Sequence, residues 1–173
     1  MLIFLVGYMY SGKSTVGRKL AKAFGYNFVD TDDLFEGKYH ISIPSFFEKY
    51  GETLFRSLEQ EVLFSTKSLQ HTVVSTGGGT PCSVESMEYI KQTGISVFLQ
   101  SDIDTIMSRL KSSQKERPVL NTIAQENLQE FIAAQLQERT LFYQQANIIH
   151  SAKNVDVKEL KELIERWNTL PLQ

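Results

Sequence analysis

The segment Gly7-Tyr8-Met9-Tyr10-Ser11-Gly12-Lys13-Ser14 matches the pattern G-x-x-x-x-G-K-[ST]. It follows the apolar run Leu2–Val6 and leads into an amphipathic stretch, Lys13–Phe24. In a strand, loop and helix of this kind, backbone N–H groups and the helix N-terminus surround an anion. Lys13 can then reach the β- and γ-phosphates of a nucleotide, and the Ser14 hydroxyl can bind Mg²⁺. We therefore expect a site for ATP and Mg²⁺; an ordinary glycine-rich turn is the alternative.

Short apolar runs alternate with amphipathic stretches along the chain, which predicts strands alternating with helices. The strands are expected at Leu2–Val6, Asn27–Asp30, Thr72–Ser75, Ile95–Leu99 and Asn147–His150. The helices are expected near Lys13–Phe24, Thr53–Leu69, Asp102–Leu110, Gln125–Tyr143 and Asp156–Trp167. Because the strands are apolar on both faces, the pattern favours an α/β doubly wound fold with a buried parallel sheet. Ser101 and Asp104 have the spacing of a capping box at the start of the fourth helix.

The composition predicts one globular domain, residues 1–173. The formal net charge of −2 argues against nucleic acid or an anionic membrane as the main partner. The single cysteine, Cys82, allows no intramolecular disulfide, and the apolar run Met1–Val6 is too short for a signal segment or a membrane span. We therefore expect a cytoplasmic protein.

Two connections between the expected elements are unusual. The first runs from about Thr31 to His71 and is long enough to hold more than one helix. The second, Lys111–Thr122, is polar, contains Pro118 and has little periodicity. A segment of that kind inside a compact domain is often a mobile lid, so we expect a lid at about residues 111–122.

An acidic cluster, Asp30-Thr31-Asp32-Asp33, ends the second expected strand. One interpretation is helix capping, since Asp and Thr are good N-cap residues and acids favour the first turn. The other is functional: one carboxylate helps to hold hydrated Mg²⁺, and another accepts the proton of an acceptor hydroxyl. The sequence leaves both interpretations open.

The third strand runs into Ser75-Thr76-Gly77-Gly78-Gly79. Successive glycines at the carboxyl end of a strand permit close backbone approach to a ligand, although a flexible turn is the alternative. No aspartate ends this strand, so the usual second carboxylate of a nucleotide site is missing here. The Asp30–Asp33 cluster is therefore the better candidate for the metal.

Arg139 lies on the apolar face of the expected helix Gln125–Tyr143, with Gln135 beside it. The apolar stripe on that face consists of Leu128, Phe131, Ile132, Leu136, Phe142 and Tyr143. A guanidinium on a buried face needs an anionic partner. That partner is either an internal carboxylate or a ligand carboxylate, which arginine can bind through two parallel hydrogen bonds.

For two other arginines, an ordinary structural role is the alternative to a functional one. Arg56 has Glu52 four residues before it and Glu59 three after, and lies away from Leu54 and Leu58 on a helical wheel, so surface salt bridging is the default interpretation. Arg117 lies in the polar segment and is either solvated or a lid arginine that stabilises transition-state charge on phosphate.

Taken together, these blocks of sequence resemble the shikimate kinase family over nearly the whole chain. The resemblance rests on Gly7–Gly17 (GYMYSGKSTVG), Phe28–Asp32 (FVDTD), Phe55–Glu59 (FRSLE), Ser75–Gly79 (STGGG), Arg117–Leu120 (RPVL) and Arg139–Tyr143 (RTLFY). It implies a P-loop NTPase fold similar to nucleoside monophosphate kinases, with a five-stranded parallel sheet in the order 2-3-1-4-5. It also implies a monomer that phosphorylates the 3-hydroxyl of shikimate with ATP and Mg²⁺, a step of chorismate and aromatic amino-acid biosynthesis.

The resemblance also implies roles for individual residues. ATP would be held by Tyr10, Ser11, Gly12, Lys13, Ser14 and Thr15, with Arg109, Asn154 and the lid arginine Arg117 nearby. The metal would be held by Ser14 and, through water, by Asp30. Shikimate would be held by Asp32, Phe47, Arg56, Gly77, Gly78, Gly79 and Arg139, in a substrate-binding insertion at about residues 31–60 and the segments around it. The implied catalytic residues are Lys13, Asp32 and Arg117. Tyr10 stands where family loops usually have a small residue, a position from which its side chain can point to solvent.

Two other functions remain open at this point. A P-loop kinase for another small acceptor would share the loop and the lid but would not need two arginines for a carboxylate. A nucleotide-binding protein without turnover would be favoured if Asp32, Arg117 or Arg139 were missing, and all three are present.

Overall fold

The computed structural model describes residues 1–112 and 123–169. The strands are β1 (Leu2–Val6), β2 (Asn27–Asp30), β3 (Thr72–Ser75), β4 (Ile95–Gln100) and β5 (Ile148–Ser151). The helices are α1 (Lys13–Phe24), α2 (Thr31–Tyr39), α3 (Ile43–Ser65), α4 (Val84–Thr93), α5 (Ile103–Ser112), α6 (Leu128–Tyr143) and α7 (Val157–Thr169). Two short 3₁₀ turns lie at Thr66–Ser68 and Gln125–Asn127.

The five strands form one parallel sheet in the order β2-β3-β1-β4-β5, which confirms the predicted fold class and strand order. In the register of the sheet, Ser75 lies opposite Leu5 on one side and Asp30 on the other. The carboxyl ends of β1, β2 and β3 therefore meet at one edge. In an open α/β sheet this is the edge at which ligands bind.

Alternate residues of β1 point to opposite faces of the sheet, and a hydrophobic cluster covers each face. Leu2, Phe4 and Val6 belong to one hydrophobic cluster, the α4/α6 core, together with Met87, Ile90, Phe98, Ile106, Ile132 and Tyr143. Ile3 and Leu5 belong to a second cluster, the α1/α7 core, together with Val16, Leu20, Val97, Leu160 and Ile164. Within the described parts of the chain, no helix is long and apolar enough to cross a membrane.

A third cluster lies beside the sheet, between α2 and α3, and contains Phe35, Phe46, Phe55 and Val62. α3 is broken at Gly51, whose φ of 80° and ψ of 171° are not helical. The predicted helix Thr53–Leu69 covers only the part of α3 after this break. It also extends past the end of α3, because Thr66–Ser68 forms a 3₁₀ turn. The sequence analysis did not predict α4, which Ser83 caps by accepting a hydrogen bond from the Ser86 N–H.

The predicted capping box at α5 is wrong. The Asp102 carboxylate accepts a hydrogen bond from the Thr105 N–H at 2.7 Å, so Asp102 caps the helix one residue later than expected. The Ser101 hydroxyl is buried and has no hydrogen-bond partner in the described structure. The capping bonds lower the pKa of Asp102, so the cap remains ionised at neutral pH.

Candidate active site

The glycine-rich loop between β1 and α1 folds around the side chain of Lys13, which is buried. The ammonium Nζ donates hydrogen bonds to the carbonyl oxygens of Gly7 at 2.7 Å and Tyr8 at 2.8 Å. Lys13 is also the first residue of α1, where the helix dipole adds positive potential. The lysine predicted to contact phosphate therefore lies at the N-terminus of a helix that opens directly from the loop.

The sequence allowed the Tyr10 side chain to point to solvent, but the structure shows it packed against the protein. Its ring is half-buried and packs against the α4/α6 core. Its backbone has a φ of 62°, in the left-handed region that glycine favours. The Tyr10 carbonyl accepts a hydrogen bond from Arg109 Nη1 at 3.0 Å, and Arg109 Nη2 donates to the Ala152 carbonyl at 3.0 Å. Arg109 thus connects the loop to the segment after β5, which also contains the exposed Asn154.

Asp30 caps a helix, the first of the two roles that the sequence left open, and also contacts the glycine-rich loop. Its Oδ1 accepts a hydrogen bond from the Asp32 N–H at 3.1 Å, so it caps α2. Its Oδ2 accepts a hydrogen bond from the Ser14 hydroxyl at 2.7 Å, and the Ser75 hydroxyl lies 3.4 Å from the same Ser14 oxygen. Hydroxyl and carboxylate oxygens are thus gathered beside the phosphate-binding loop, and these are the ligands that Mg²⁺ prefers.

The described residues contain no group of three or more acidic, histidine or cysteine side chains that could hold a metal. This is compatible with Mg²⁺, which usually takes one or two protein carboxylates together with phosphate and water. The Ser14–Asp30 pair therefore fits the ion in the chemistry of its donors.

The segment Gly77-Gly78-Gly79 is packed closely, as expected for a ligand-binding backbone and unlike a flexible turn. A Cβ atom at Gly77 would come within 2.8 Å of both Asp32 Oδ1 and Glu59 Oε1. A Cβ atom at Gly79 would collide with the guanidinium of Arg56. The Gly77 N–H also donates to the Thr31 hydroxyl at 2.9 Å, which fixes the start of the segment.

Arg56 is less exposed than the wheel suggested, with 31% of its side-chain surface accessible, because Leu54 does not belong to the buried stripe of α3. Leu54 is 45% exposed, whereas the neighbouring Phe55 is buried. Arg56 forms the expected pairs, from Nη1 to Glu59 at 2.8 Å and from Nη2 to Glu52 at 3.0 Å. Burial lowers the pKa of Arg56, but Glu59 and Glu52 raise it by more, so its pKa lies above the ordinary value. The guanidinium is charged and lines a pocket.

Glu59 was expected only as a salt-bridge partner of Arg56, but it also lines this pocket. Glu59 is 6% exposed and has a hydrogen bond at each carboxylate oxygen. Oε2 accepts from Arg56, and Oε1 accepts from the Thr80 hydroxyl at 2.7 Å. The spacing of Phe55, Glu59 and Val62 along α3 places this acid on the buried face of the helix. That spacing is the signal that could have identified it.

Arg139 is half-buried on the predicted apolar face of α6, and Ile132 and Tyr143 on that face are fully buried. Its guanidinium lies 5.5 Å from the centroid of the Tyr8 ring, an attractive cation–π distance. Burial raises the pKa of Tyr8 to about 12, and the Tyr8 hydroxyl donates to Gln135 at 2.7 Å. Within residues 1–112 and 123–169, no carboxylate forms an ion pair with Arg139.

Two adjoining pockets bring these groups together. The first, the arginine pocket, contains Phe47, Arg56 and Arg139 among its lining residues. The second, the loop-side pocket, lies beside the glycine-rich loop. Its lining includes Tyr10, Gly12, Lys13, Ser14, Thr15 and Asp30. The two pockets share a wall formed by Met9, Asp32, Gly77 and Gly78.

Every predicted site residue except Ser11, Arg109, Arg117 and Asn154 therefore lines one or both of these pockets. Gly79 lines the arginine pocket, and Ser11 is buried within the loop itself. Arg117 and most of the predicted lid, residues 113–122, lie outside the described residues.

This arrangement agrees with a comparison to protein families, in which the shikimate kinase model matches residues 9–167. The chain belongs to the shikimate kinase family. The resemblance inferred from the sequence motifs is confirmed.

Relatives and solved structures of the shikimate kinase family match most of the chain. A shikimate kinase from Parabacteroides distasonis is 39% identical over 153 residues, which are 88% of each chain. The crystal structure of shikimate kinase from Bacteroides thetaiotaomicron has a TM-score of 0.89 and 35% identity, covering 95% of this chain and 98% of that one. Shikimate kinase from Acinetobacter baumannii in complex with shikimate has a TM-score of 0.86 and 34% identity, covering 98% of this chain and 95% of that one.

The fold extends beyond this family. Deoxyadenosine kinase from M. mycoides with bound dATP covers 96% of this chain and 98% of its own, with a TM-score of 0.59 and 18% identity. At that identity the likeness concerns the fold alone. It agrees with the predicted relation to small P-loop kinases.

Proposed function

We propose that the chain transfers the γ-phosphoryl group of ATP to the 3-hydroxyl of shikimate, giving 3-phosphoshikimate and ADP. The observation that carries the proposal is the wall shared by the two pockets. Asp32 lies on that wall, with Lys13 and the glycine-rich loop on one side and Arg56 and Arg139 on the other. An anion-binding loop and a carboxylate-binding pocket are thus separated by one candidate base.

The arginine pocket is the acceptor pocket of this proposal. In it, Arg56 and Arg139 bind the carboxylate of shikimate. Arg139 has no ion pair with a described carboxylate, and an unpaired guanidinium in a half-buried position gains most from an anionic ligand. The Gly77–Gly79 backbone approaches the acceptor without side chains in the way, and Phe47 forms an apolar wall. A family member with shikimate bound shares this fold at 34% identity, which supports this choice of acceptor.

In the loop-side pocket, the backbone of Tyr10–Thr15 and the Lys13 ammonium bind the phosphates of ATP. Ser14 and Asp30 would hold Mg²⁺. When bound, Mg²⁺ offsets negative charge on the phosphates and favours their transfer. We assign Arg109 and Asn154 to the nucleotide base, because Arg109 connects the loop to the segment after β5 that contains Asn154.

The chemistry is a direct displacement at phosphorus. Asp32 accepts the proton of the 3-hydroxyl as that oxygen forms its bond to the γ-phosphorus and the bond from phosphorus to the β-phosphate oxygen breaks. ADP leaves with the electron pair of that bond, and the proton on Asp32 returns to solvent. Lys13 and Arg117 stabilise the charge that develops on the transferred group.

We also propose that the chain acts as a monomer, as the resemblance to the family implies. Residues of about 31–60 act as the substrate-binding insertion. Most of the hydrophobic cluster between α2 and α3 belongs to this insertion.

An acceptor panel tests the proposal. ADP release is measured with ATP and Mg²⁺ in the presence of shikimate, gluconate, AMP or CMP. Turnover with shikimate alone supports the assignment. Turnover with another acceptor keeps the phosphoryl transfer and refutes the acceptor, whereas binding of ATP without turnover on any acceptor favours a binding protein.

A further inference from the structure

The carbonyl oxygen of Gly78 accepts hydrogen bonds from two side chains that do not line the acceptor pocket. The Tyr143 hydroxyl donates to it, and the Cys82 thiol donates to it with an Sγ to oxygen distance of 3.6 Å. Tyr143 has no exposed surface, and its ring packs against Phe98 with a centroid distance of 5.2 Å. Both lone pairs of this carbonyl are therefore occupied by side chains that themselves do not line either pocket.

A fixed carbonyl also fixes the neighbouring amide. The peptide unit is planar and trans, so the Gly79 N–H points away from the direction of the Gly78 carbonyl. Because that carbonyl points toward the buried Tyr143, the N–H points away from the α4/α6 core. Gly79 lines the acceptor pocket, and its N–H has no acceptor in the described structure. This leaves a backbone donor available to a ligand.

We propose that Tyr143, assisted by Cys82, is a positioning residue that holds the Gly78–Gly79 peptide with its N–H directed at the acceptor. No Cβ restricts either residue of this glycine-glycine peptide, so the two side-chain donors add to the restraint that the Cys82 N–H provides by donating to the Gly79 carbonyl at 3.0 Å. The inference rests on the proposed function, because it concerns binding of the same acceptor.

The position of Tyr143 on α6 supports this role. Tyr143 follows Arg139 by four residues, so the two side chains project from the same face of the helix. α6 therefore supplies Arg139, which binds the acceptor, and Tyr143, which orients the glycine backbone of the acceptor pocket. Burial raises the pKa of Tyr143 well above its ordinary value, so the hydroxyl stays protonated and can donate at any physiological pH.

The test is Tyr143→Phe, which keeps the ring and removes only the hydroxyl. The matched control is Tyr89→Phe, since Tyr89 also packs on the α4/α6 core and its hydroxyl contacts Thr66 and the Phe64 carbonyl, far from both pockets. We expect Tyr143→Phe to raise the KM for shikimate about tenfold, the effect of one lost hydrogen bond, with the KM for ATP unchanged. Tyr89→Phe should leave both KM values unchanged at a comparable loss of Tm.

An unchanged KM for shikimate in folded Tyr143→Phe overturns the inference. An equal rise in both KM values also overturns it, because that pattern indicates general loosening. If Tyr143→Phe fails to fold, Cys82→Ala decides, with an expected rise of about twofold in the KM for shikimate. Wild-type protein without shikimate turnover refutes the proposed function itself, whereas normal wild-type turnover with insensitive variants refutes only this role of Tyr143.

Discussion

Glu59 Oε2 lies 2.8 Å from Arg56 Nη1, and this ion pair within helix α3 lines the acceptor pocket. The other carboxylate oxygen of Glu59 accepts from Thr80, directly after the three glycines. Arg56 is therefore held against the Gly79 backbone by a buried acid. Glu52 pairs with the same guanidinium from the exposed side, which makes a direct comparison of the two acids possible.

We expect Glu59→Gln to weaken acceptor binding and Glu52→Gln to have little effect. Loss of the buried charge-assisted hydrogen bond to Arg56 should cost about 1.5–3 kcal/mol of stability. The exposed Glu52 pair should contribute only about 0–1 kcal/mol. The measurements are the free energy of unfolding in urea and the KM for shikimate. Equal effects of the two substitutions would mean that burial of Glu59 has no special role.

Arg139→Ala should weaken binding of shikimate by about 2–4 kcal/mol, because the lost contact is a partly buried charge-assisted pair. Arg139→Lys should recover only part of this, since an ammonium cannot form two parallel hydrogen bonds to a carboxylate. Isothermal titration with shikimate measures both variants. If both bind like the wild type, Arg139 serves only the packing of α6 against Tyr8.

Asp32→Ala should lower kcat by about 10²–10⁴ if Asp32 accepts the hydroxyl proton. The KM for ATP should stay close to the wild-type value, because Lys13 and the loop backbone are unchanged. Steady-state kinetics at saturating ATP check the prediction. Near-normal turnover would show that another group or water takes the proton.

Asp30→Asn separates the two roles of Asp30. Asparagine is as good an N-cap as aspartate, so the start of α2 should be retained and Tm should change little. The negative charge beside Ser14 is lost, so the reaction should need at least about tenfold more Mg²⁺ for half-maximal rate. A titration of rate against Mg²⁺ at fixed ATP measures this. An unchanged Mg²⁺ requirement would remove Asp30 from the metal site.

The sequence predicted those features that depend on local pattern. The glycine-rich loop has a fixed spacing between a strand and a helix, and the apolar face of α6 follows from helical periodicity, so Lys13 and Arg139 could be identified. The strand order followed from the resemblance to a family, since periodicity alone does not determine which strands pair.

Features that depend on tertiary contacts could not be predicted in the same way. Glu59 accepts a hydrogen bond from Thr80, 21 residues away, and Tyr143 donates to Gly78, 65 residues away, so no local pattern indicates these two partners. The exposure of Leu54 depends on how α3 packs against α2 after the break at Gly51, and the wheel therefore misplaced Arg56. At α5, two adjacent polar residues could each cap the helix, and the choice of Asp102 over Ser101 was decided by burial of the serine.

The most direct test of the central claim is the identity of the product. Purified protein is incubated with ATP, Mg²⁺ and shikimate, and the product is analysed by phosphorus and proton NMR. We predict one phosphoryl group on the 3-hydroxyl, formed in equal amount to ADP. ADP without phosphorylated shikimate, or phosphorylation at a different hydroxyl, would contradict the account.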